Sequence, residues 1–256
     1  MVFHNIYFVM YLIILYNMYI IHISMKIIKY IITISLFFSI AAYAGDTPDF
    51  FLKKSVREVA LFISENKETL ENDPSLAAAR SNDGLSAILF TLYIGKPELA
   101  EILLAFEPEL DIFDLSALGG AAQISHILAT NDKAVHEYSG DGFSALHLAC
   151  YFGHADVAQL LLENGAEIDK TAMNGSDLRP LQSAVASCHL DVVKVLLKFD
   201  PDINIKMLGG FTPLMSATAL GDEEMIELLI SHGADQSLKA NDGRMAADFA
   251  KLSGNK

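Results

Sequence analysis

The chain has 256 residues, with 32 Asp and Glu against 18 Lys and Arg, a formal charge of −14, and 52% apolar residues. An acidic balance of this size argues against nucleic acid or an anionic membrane surface as partner, because both would be repelled. The charge is unevenly spread: residues 1–44 contain no Asp or Glu and only Lys26 and Lys29, so residues 45–256 carry a formal charge of −16.

From Met25, Lys26 and Lys29 precede an apolar run from Tyr30 to Ile40 and then Ala42-Tyr43-Ala44. These are the charged, apolar and small-residue parts of a secretory signal peptide over residues 25–44, with cleavage expected after Ala44 to leave Gly45. The absence of Cys at that point argues against a lipoprotein. Val2 to Ser24 lacks Lys, Arg, Asp and Glu and is long enough to cross a bilayer. We read residues 1–24 as an extension upstream of a true start at Met25. The alternative is an uncleaved apolar anchor, which would keep Lys26 and Lys29 on the cytoplasmic side and still leave the domain outside. Periplasmic or secreted localisation is expected in the first case, and a membrane-anchored external domain in the second.

Residues 45–79 are expected to form N-terminal capping helices, since Phe51, Val56, Val59, Phe62 and Ile63 are apolar with Lys53, Lys54, Arg57 and Glu58 between them. A helix-pair unit follows from about Arg80, with Asp83-Gly84-Leu85-Ser86-Ala87-Ile88 at its start, Gly95 at its break and Leu99, Ile102 and Leu103 facing the core. The next unit is short. Gly95 to Gly119 is 24 residues where Gly119 to Gly153 is 34, which predicts a shortened turn, with helices over Ile112 to Leu118 and Ala121 to Ala129.

The clearest unit runs from Asp141 to Asp169. Ser144 stands where a helix N-cap belongs, and Leu146, Leu148 and Ala149 open an apolar face behind it. Gly153 stops that helix and His154 starts another, in which Val157, Leu160 and Leu161 repeat at amphipathic spacing before Gly165 ends it. A helix pair this small cannot bury its apolar faces alone and needs copies of itself as neighbours. Leu146 recurs as Leu181, 35 residues on, and as Leu214, 33 further. The unit from Ala172 has two extra residues within Met173 to Leu178, Arg179 at the N-cap position, Cys188 in place of the break glycine and Asp200 in place of the terminal one. The last full unit reaches about Leu238. Asn241-Asp242-Gly243 opens a closing unit whose first helix, Met245 to Leu252, carries Asp248 and Lys251 as a polar cap.

Ser144-Ala145-Leu146-His147, Gly153-His154 and Gly165-Ala166-Glu167 in one unit, with Thr212-Pro213-Leu214-Met215, Gly221-Asp222 and Gly233-Ala234-Asp235 in another, resemble the ankyrin repeat family at its period of roughly 33 residues. The resemblance implies an all-α solenoid of stacked helix pairs joined by β-turn or hairpin fingers, with about six units over residues 80–256. It also implies that His147 and His154 hydrogen-bond between neighbouring repeats. Partners of the family usually dock on turn tips and on the inner face of the first helices. The turn position after Asp141-Gly142 is Phe143, matched by Leu85, Leu178, Phe211 and Arg244. The two positions before the break are Tyr151 and Phe152, matched by Tyr93 and Ile94, Ala117 and Leu118, Ala186 and Ser187, and Ala219 and Leu220. Tyr93, Phe143, Tyr151, Phe152, Phe211 and Leu220 are therefore the expected partner-binding residues, with Phe143, Tyr151, Phe152 and Phe211 as an aromatic cluster. The alternative is that these side chains pack against adjacent turns or fill the groove internally.

No glycine-rich phosphate loop, His-Glu-x-x-His helix, nucleophile elbow or zinc-spaced cysteine pair occurs in the sequence. Asp141, Ser144 and His147 imitate a triad, but Ser144 is better explained as an N-cap. Asp200, Asp202 and Asn204 begin like a calcium loop, yet Ile205 stands where glycine is needed and Phe211 where the bidentate Glu is needed. No catalytic, cofactor or metal site is expected. Cys150 and Cys188 could bond in an oxidising compartment, though they hold non-equivalent positions. The expected function is non-enzymatic binding of another protein by a monomer. An inhibitor or immunity protein against a toxin or enzyme, and an accessory protein for a redox enzyme, remain alternatives.

Overall fold

The computed structural model describes residues 70–71, 74–81 and 84–250. The expected signal segment, the upstream stretch and most of the N-terminal cap lie outside them, as do Asp83 and the end of the closing helix. The described residues form eleven α-helices, five antiparallel pairs and a closing helix. The pairs are α1 (Ala87–Tyr93) with α2 (Pro97–Leu104), α3 (Ile112–Leu118) with α4 (Ala121–Thr130), and α5 (Ala145–Phe152) with α6 (Ala155–Glu163). They continue with α7 (Pro180–Ala186) and α8 (Leu190–Leu196), then α9 (Pro213–Leu220) and α10 (Glu223–Ser231), and α11 (Ala246–Ala250) closes the stack. Among the described residues the β-structure is one isolated bridge, Arg80 to Ser86, so the fingers are turns, without hairpin strands.

The first helices begin alike because one position supplies an acceptor for the exposed first-turn N–H groups. Ser86 accepts from Leu89 N, Asp111 from Phe113 N and Asp114 N, Ser144 from His147 N and Thr212 from Met215 N. Arg179 has no acceptor to offer; instead Gln182 Oε1 accepts from the Arg179 N–H at 3.1 Å, and Pro180 supplies a preset φ at the first turn. The break after each first helix needs a left-handed residue. Gly153 takes it at φ +89°, and Cys188 takes the same place at φ +58°, as Asp200 does at the end of its repeat at φ +54°.

The core is a set of rows running along the stack. Leu146, Leu181 and Leu214 form one, Val157, Val192 and Met225 another, and Leu161, Leu196 and Leu229 a third, all at most 2% exposed. Each such side chain contributes about 2 kcal/mol on removal from water. Each row draws on adjacent repeats, which is why one pair cannot stand alone. Polar bonds run between repeats as well: His147 Nε2–H donates to Leu178 O at 3.1 Å and Gln182 Nε2–H to Ile205 O at 3.1 Å.

The second repeat has no finger. Residues 105–110 carry the chain from Leu104 straight to the N-cap Asp111, where the other junctions spend 131–143, 164–178, 197–211 and 232–244. Its N3 residue, Asp114, is 1% exposed and binds Ser86 Oγ and Arg80 Nη2, the latter at 2.8 Å. Arg80 also pairs with Asp111 at 2.8 Å. This network ties the first repeat to the fingerless one. Burial pushes the Asp114 carboxyl above its usual range, against the pull of Ser86 and Arg80.

Candidate partner-binding face

Three of the six expected residues come together. Tyr93 ends α1, and Tyr151 and Phe152 end α5. Their ring centroids lie 6.0 Å apart for Tyr93 and Tyr151, 5.6 Å for Tyr93 and Phe152, and 5.0 Å for Tyr151 and Phe152. These are edge and tilted geometries that aromatic rings favour. The three are half-buried, and Ile94 beside Tyr93 is 37% exposed. α3 packs between α1 and α5, and the rings meet across it.

The ledge is anchored by a carboxylate. Tyr93 O–H donates to Asp141 Oδ2 at 2.7 Å, and Ser139 O–H binds the other oxygen. Asp141 is 9% exposed. Burial raises its carboxyl above the usual range, and burial with the Asp141 charge raises the Tyr93 phenol. Burial alone pushes Tyr151 up to about 12. The bond spans the second repeat because no finger intervenes there.

Phe143 and Phe211 are not part of this cluster. Phe143 is 8% exposed and its ring tilts over His147 at 5.7 Å. Its carbonyl accepts from Ser139 N, which closes the finger and turns the side chain inward. Leu85 and Leu178 at the same position are each 4% exposed, while Phe211 and Arg244 are half-buried, so the expectation of an exposed turn residue is corrected at Phe143. Phe211 packs on Phe249 at 5.2 Å, and Arg244 lies 4.5 Å from that ring, so it locks the closing helix. Leu220 is half-buried at the end of α9.

The exposed apolar side chains of the fingers lie elsewhere. Met173 is 71% exposed and Leu208 38%. Met173 precedes Asn174-Gly175-Ser176 and Leu208 precedes Gly209-Gly210, and the telling signal is an apolar residue leading a glycine turn.

Ser144 and His147 make a structural pair. Ser144 Oγ lies 2.8 Å from His147 Nδ1, and both residues are 1% exposed. Because Nε2–H donates to Leu178 O, Nδ1 is the acceptor, and it takes the Ser144 N–H at 3.3 Å. Asp141 serves Tyr93 and Ser139. Asp202 Oδ1 accepts from Asn204 N at 3.0 Å as a turn residue, and among the described residues no three His, Cys, Asp or Glu side chains converge as a metal would require. Cys150 and Cys188 are not bonded to one another, and burial pushes the Cys150 thiol well up. Among the described residues no helix is long and apolar enough to cross a membrane.

Stacked helix pairs, turn fingers and a partly exposed aromatic ledge on the first helices define a repeat solenoid with an open face. A family model described as ankyrin repeats (three copies) matches residues 55–172, 113–207 and 170–240, and the chain belongs to the ankyrin repeat family. It is 36% identical over 108 residues to the mouse B-cell lymphoma 3 protein homolog, covering 42% of this chain and 23% of that protein. It is 37% identical over 115 residues to the Drosophila neurogenic locus Notch protein, covering 44% of this chain and 4% of that one. An ankyrin repeat protein of fowlpox virus is 32% identical over 128 residues, 49% of this chain and 29% of its own length. The chain thus spans less than a third of each of these relatives.

Proposed function

We propose that this ankyrin domain is a non-enzymatic module that binds another protein after export to the periplasm or beyond, across the concave ends of its first helices and its finger tips. The carrying observation is the ledge of Tyr93, Tyr151 and Phe152, rigid aromatic surface held at the rim of the core by the Tyr93 to Asp141 bond. Such rings give contact area at little entropy cost, and interface centres are enriched in them. The ankyrin family itself is a protein-interaction fold. Export rests on the signal-peptide pattern of residues 25–44, and the −16 charge of the remainder suits a partner without an anionic surface.

Affinity purification of the tagged chain from the exported fraction of expressing cells tests both parts. The mature protein should begin near Gly45 by mass spectrometry. A partner held by the wild type should be lost from the Tyr151→Ala, Phe152→Ala double variant while the domain stays folded. A chain that stays in the cytosol with its N-terminus intact would refute export, and turnover of a substrate by the isolated domain would refute the non-enzymatic reading.

A further inference from the structure

Fingers of adjacent repeats are joined by a recurring backbone bond. Met173 N–H donates to Gly142 O at 2.7 Å, Leu208 N–H to Ser176 O at 3.2 Å and Asn241 N–H to Gly209 O at 2.9 Å. Each donor is the second residue of a finger whose first residue, Ala172, Met207 or Ala240, closes the finger by donating to the residue just before the next N-cap. In the third repeat Ser139 N–H closes the finger onto Phe143 O, so the equivalent donor is Gly140. The finger that should accept from it is the one the second repeat lacks. Among the described residues Gly140 N–H has no acceptor, and the residue is exposed.

We infer that the place of the missing second finger is a docking slot for an extended, basic segment of the partner protein, which supplies the carbonyl that Gly140 N–H lacks. The inference rests on the protein-binding reading and deepens it by naming where and how the partner attaches. A segment that adds to an exposed backbone edge gains main-chain bonds at any sequence, and flanking side chains select it. Here the selection favours positive charge. The connection that replaces the finger carries Glu107 and Glu109, both exposed, and Glu137, also exposed, precedes the Gly140 turn. The slot adjoins the ledge, since Asp141, next to Gly140, is the residue that Tyr93 binds.

Gly140 permits a test at a single N–H. Gly142 N–H donates to Ser139 O at 2.9 Å, which makes Gly140 the second residue of a β-turn, a position that proline favours. Gly140→Pro therefore deletes the donor and leaves the turn intact, while Gly140→Ala keeps the donor. A phage-displayed library of short random peptides is panned on the full chain, and the selected peptides are titrated against the wild type and both variants. Peptides rich in Lys and Arg should bind the wild type and Gly140→Ala alike and bind Gly140→Pro about tenfold more weakly, with the melting temperature of Gly140→Pro not lowered. If Gly140→Pro proves unstable, a second variant in which residues 107–110 are replaced by the sequence of 171–178 fills the slot from within and should exclude the same peptides. Equal binding by the wild type and by a folded slot variant overturns the inference, as does a failure to select any peptide. Peptides lost instead on Met173→Ser or Phe152→Ala overturn the slot and leave the protein-binding reading standing.

Discussion

The imidazole of His189 rests on Gly153: a Cβ there would stand 2.6 Å from His189 Nδ1, while His189 Nε2–H donates to Tyr151 O at 2.9 Å. His154 sits on Gly119 in the same way, with a Cβ falling 2.7 Å from its Nδ1 and Nε2–H on Ala117 O at 2.8 Å. The break glycine of one repeat and the histidine after the break in the next form one joint. At the following junction both members change together: Cys188 holds the break, and Asp222 stands where the histidine would be, its carboxylate accepting from Met225 N at 3.1 Å.

Gly153→Ala meets two costs, a left-handed backbone and a collision with His189, and should destabilise by about 2 kcal/mol or more. His189→Ala loses the Tyr151 bond, at about 1 kcal/mol. In the double variant the collision is gone, so chemical denaturation should show a total at least about 0.5 kcal/mol below the sum of the singles. Strict additivity would mean that the two positions are not one joint.

His147 makes stability depend on pH. Burial first, then the charges of Arg179 and Lys170, lowers its pKa from 6.5 to about 4, against the pull of the Leu178 carbonyl. The unfolded chain therefore binds the proton first as pH falls. The stabilisation is whole above about pH 6.5, declines as pH drops toward about 4, and amounts to roughly 3 kcal/mol in total. Asp114 and Asp141, whose carboxyls are raised in the fold, act with the opposite sign on acidification. Gln182 shows that Gln makes the same two kinds of bond at this position. His147→Gln should thus match the wild type near neutral pH and exceed it near pH 4, and parallel pH profiles would contradict the assignment.

Tyr93→Phe removes one hydroxyl and leaves Asp141 Oδ2 short of a partner, at a cost of about 1–2 kcal/mol. Because the bond bridges the fingerless repeat, hydrogen exchange in α1 and α2 should quicken more than in α9 and α10. Uniform quickening along the stack would show that the bond does not join the first repeat to the third.

The aromatic positions separate by stability. Phe143→Ala empties a buried site and should cost about 3 kcal/mol or more, and Phe211→Ala should loosen α11 through Phe249. Phe152→Ala, at the half-exposed ledge, should lower the melting temperature least of the three. A loss at Phe152 as large as at Phe143 would return that residue to the core.

Much of the stack was legible in advance, because a break glycine, an N-cap and an apolar row each depend on a few residues at fixed spacing. α3 lies where the pattern put it, and Cys188 and Asp200 take the left-handed turns that their glycine counterparts take. The face was harder. Whether Phe143 points out or in depends on the backbone bond from Ser139 that closes the finger, which no spacing reveals. The contact between Tyr93 and Asp141 crosses 48 residues and passes over a repeat that has no finger. A short second unit was legible, but not that Tyr93 of α1 would reach across it to Tyr151 and Phe152 of α5.

A photo-reactive phenylalanine analogue at position 152 tests the central claim most directly, with the same analogue at Ile230, 38% exposed on α10, as control. Irradiation of cells expressing the chain should give one discrete protein adduct from position 152 and none from position 230. No adduct from position 152, or the same adducts from both, would contradict a partner-binding face on the aromatic ledge.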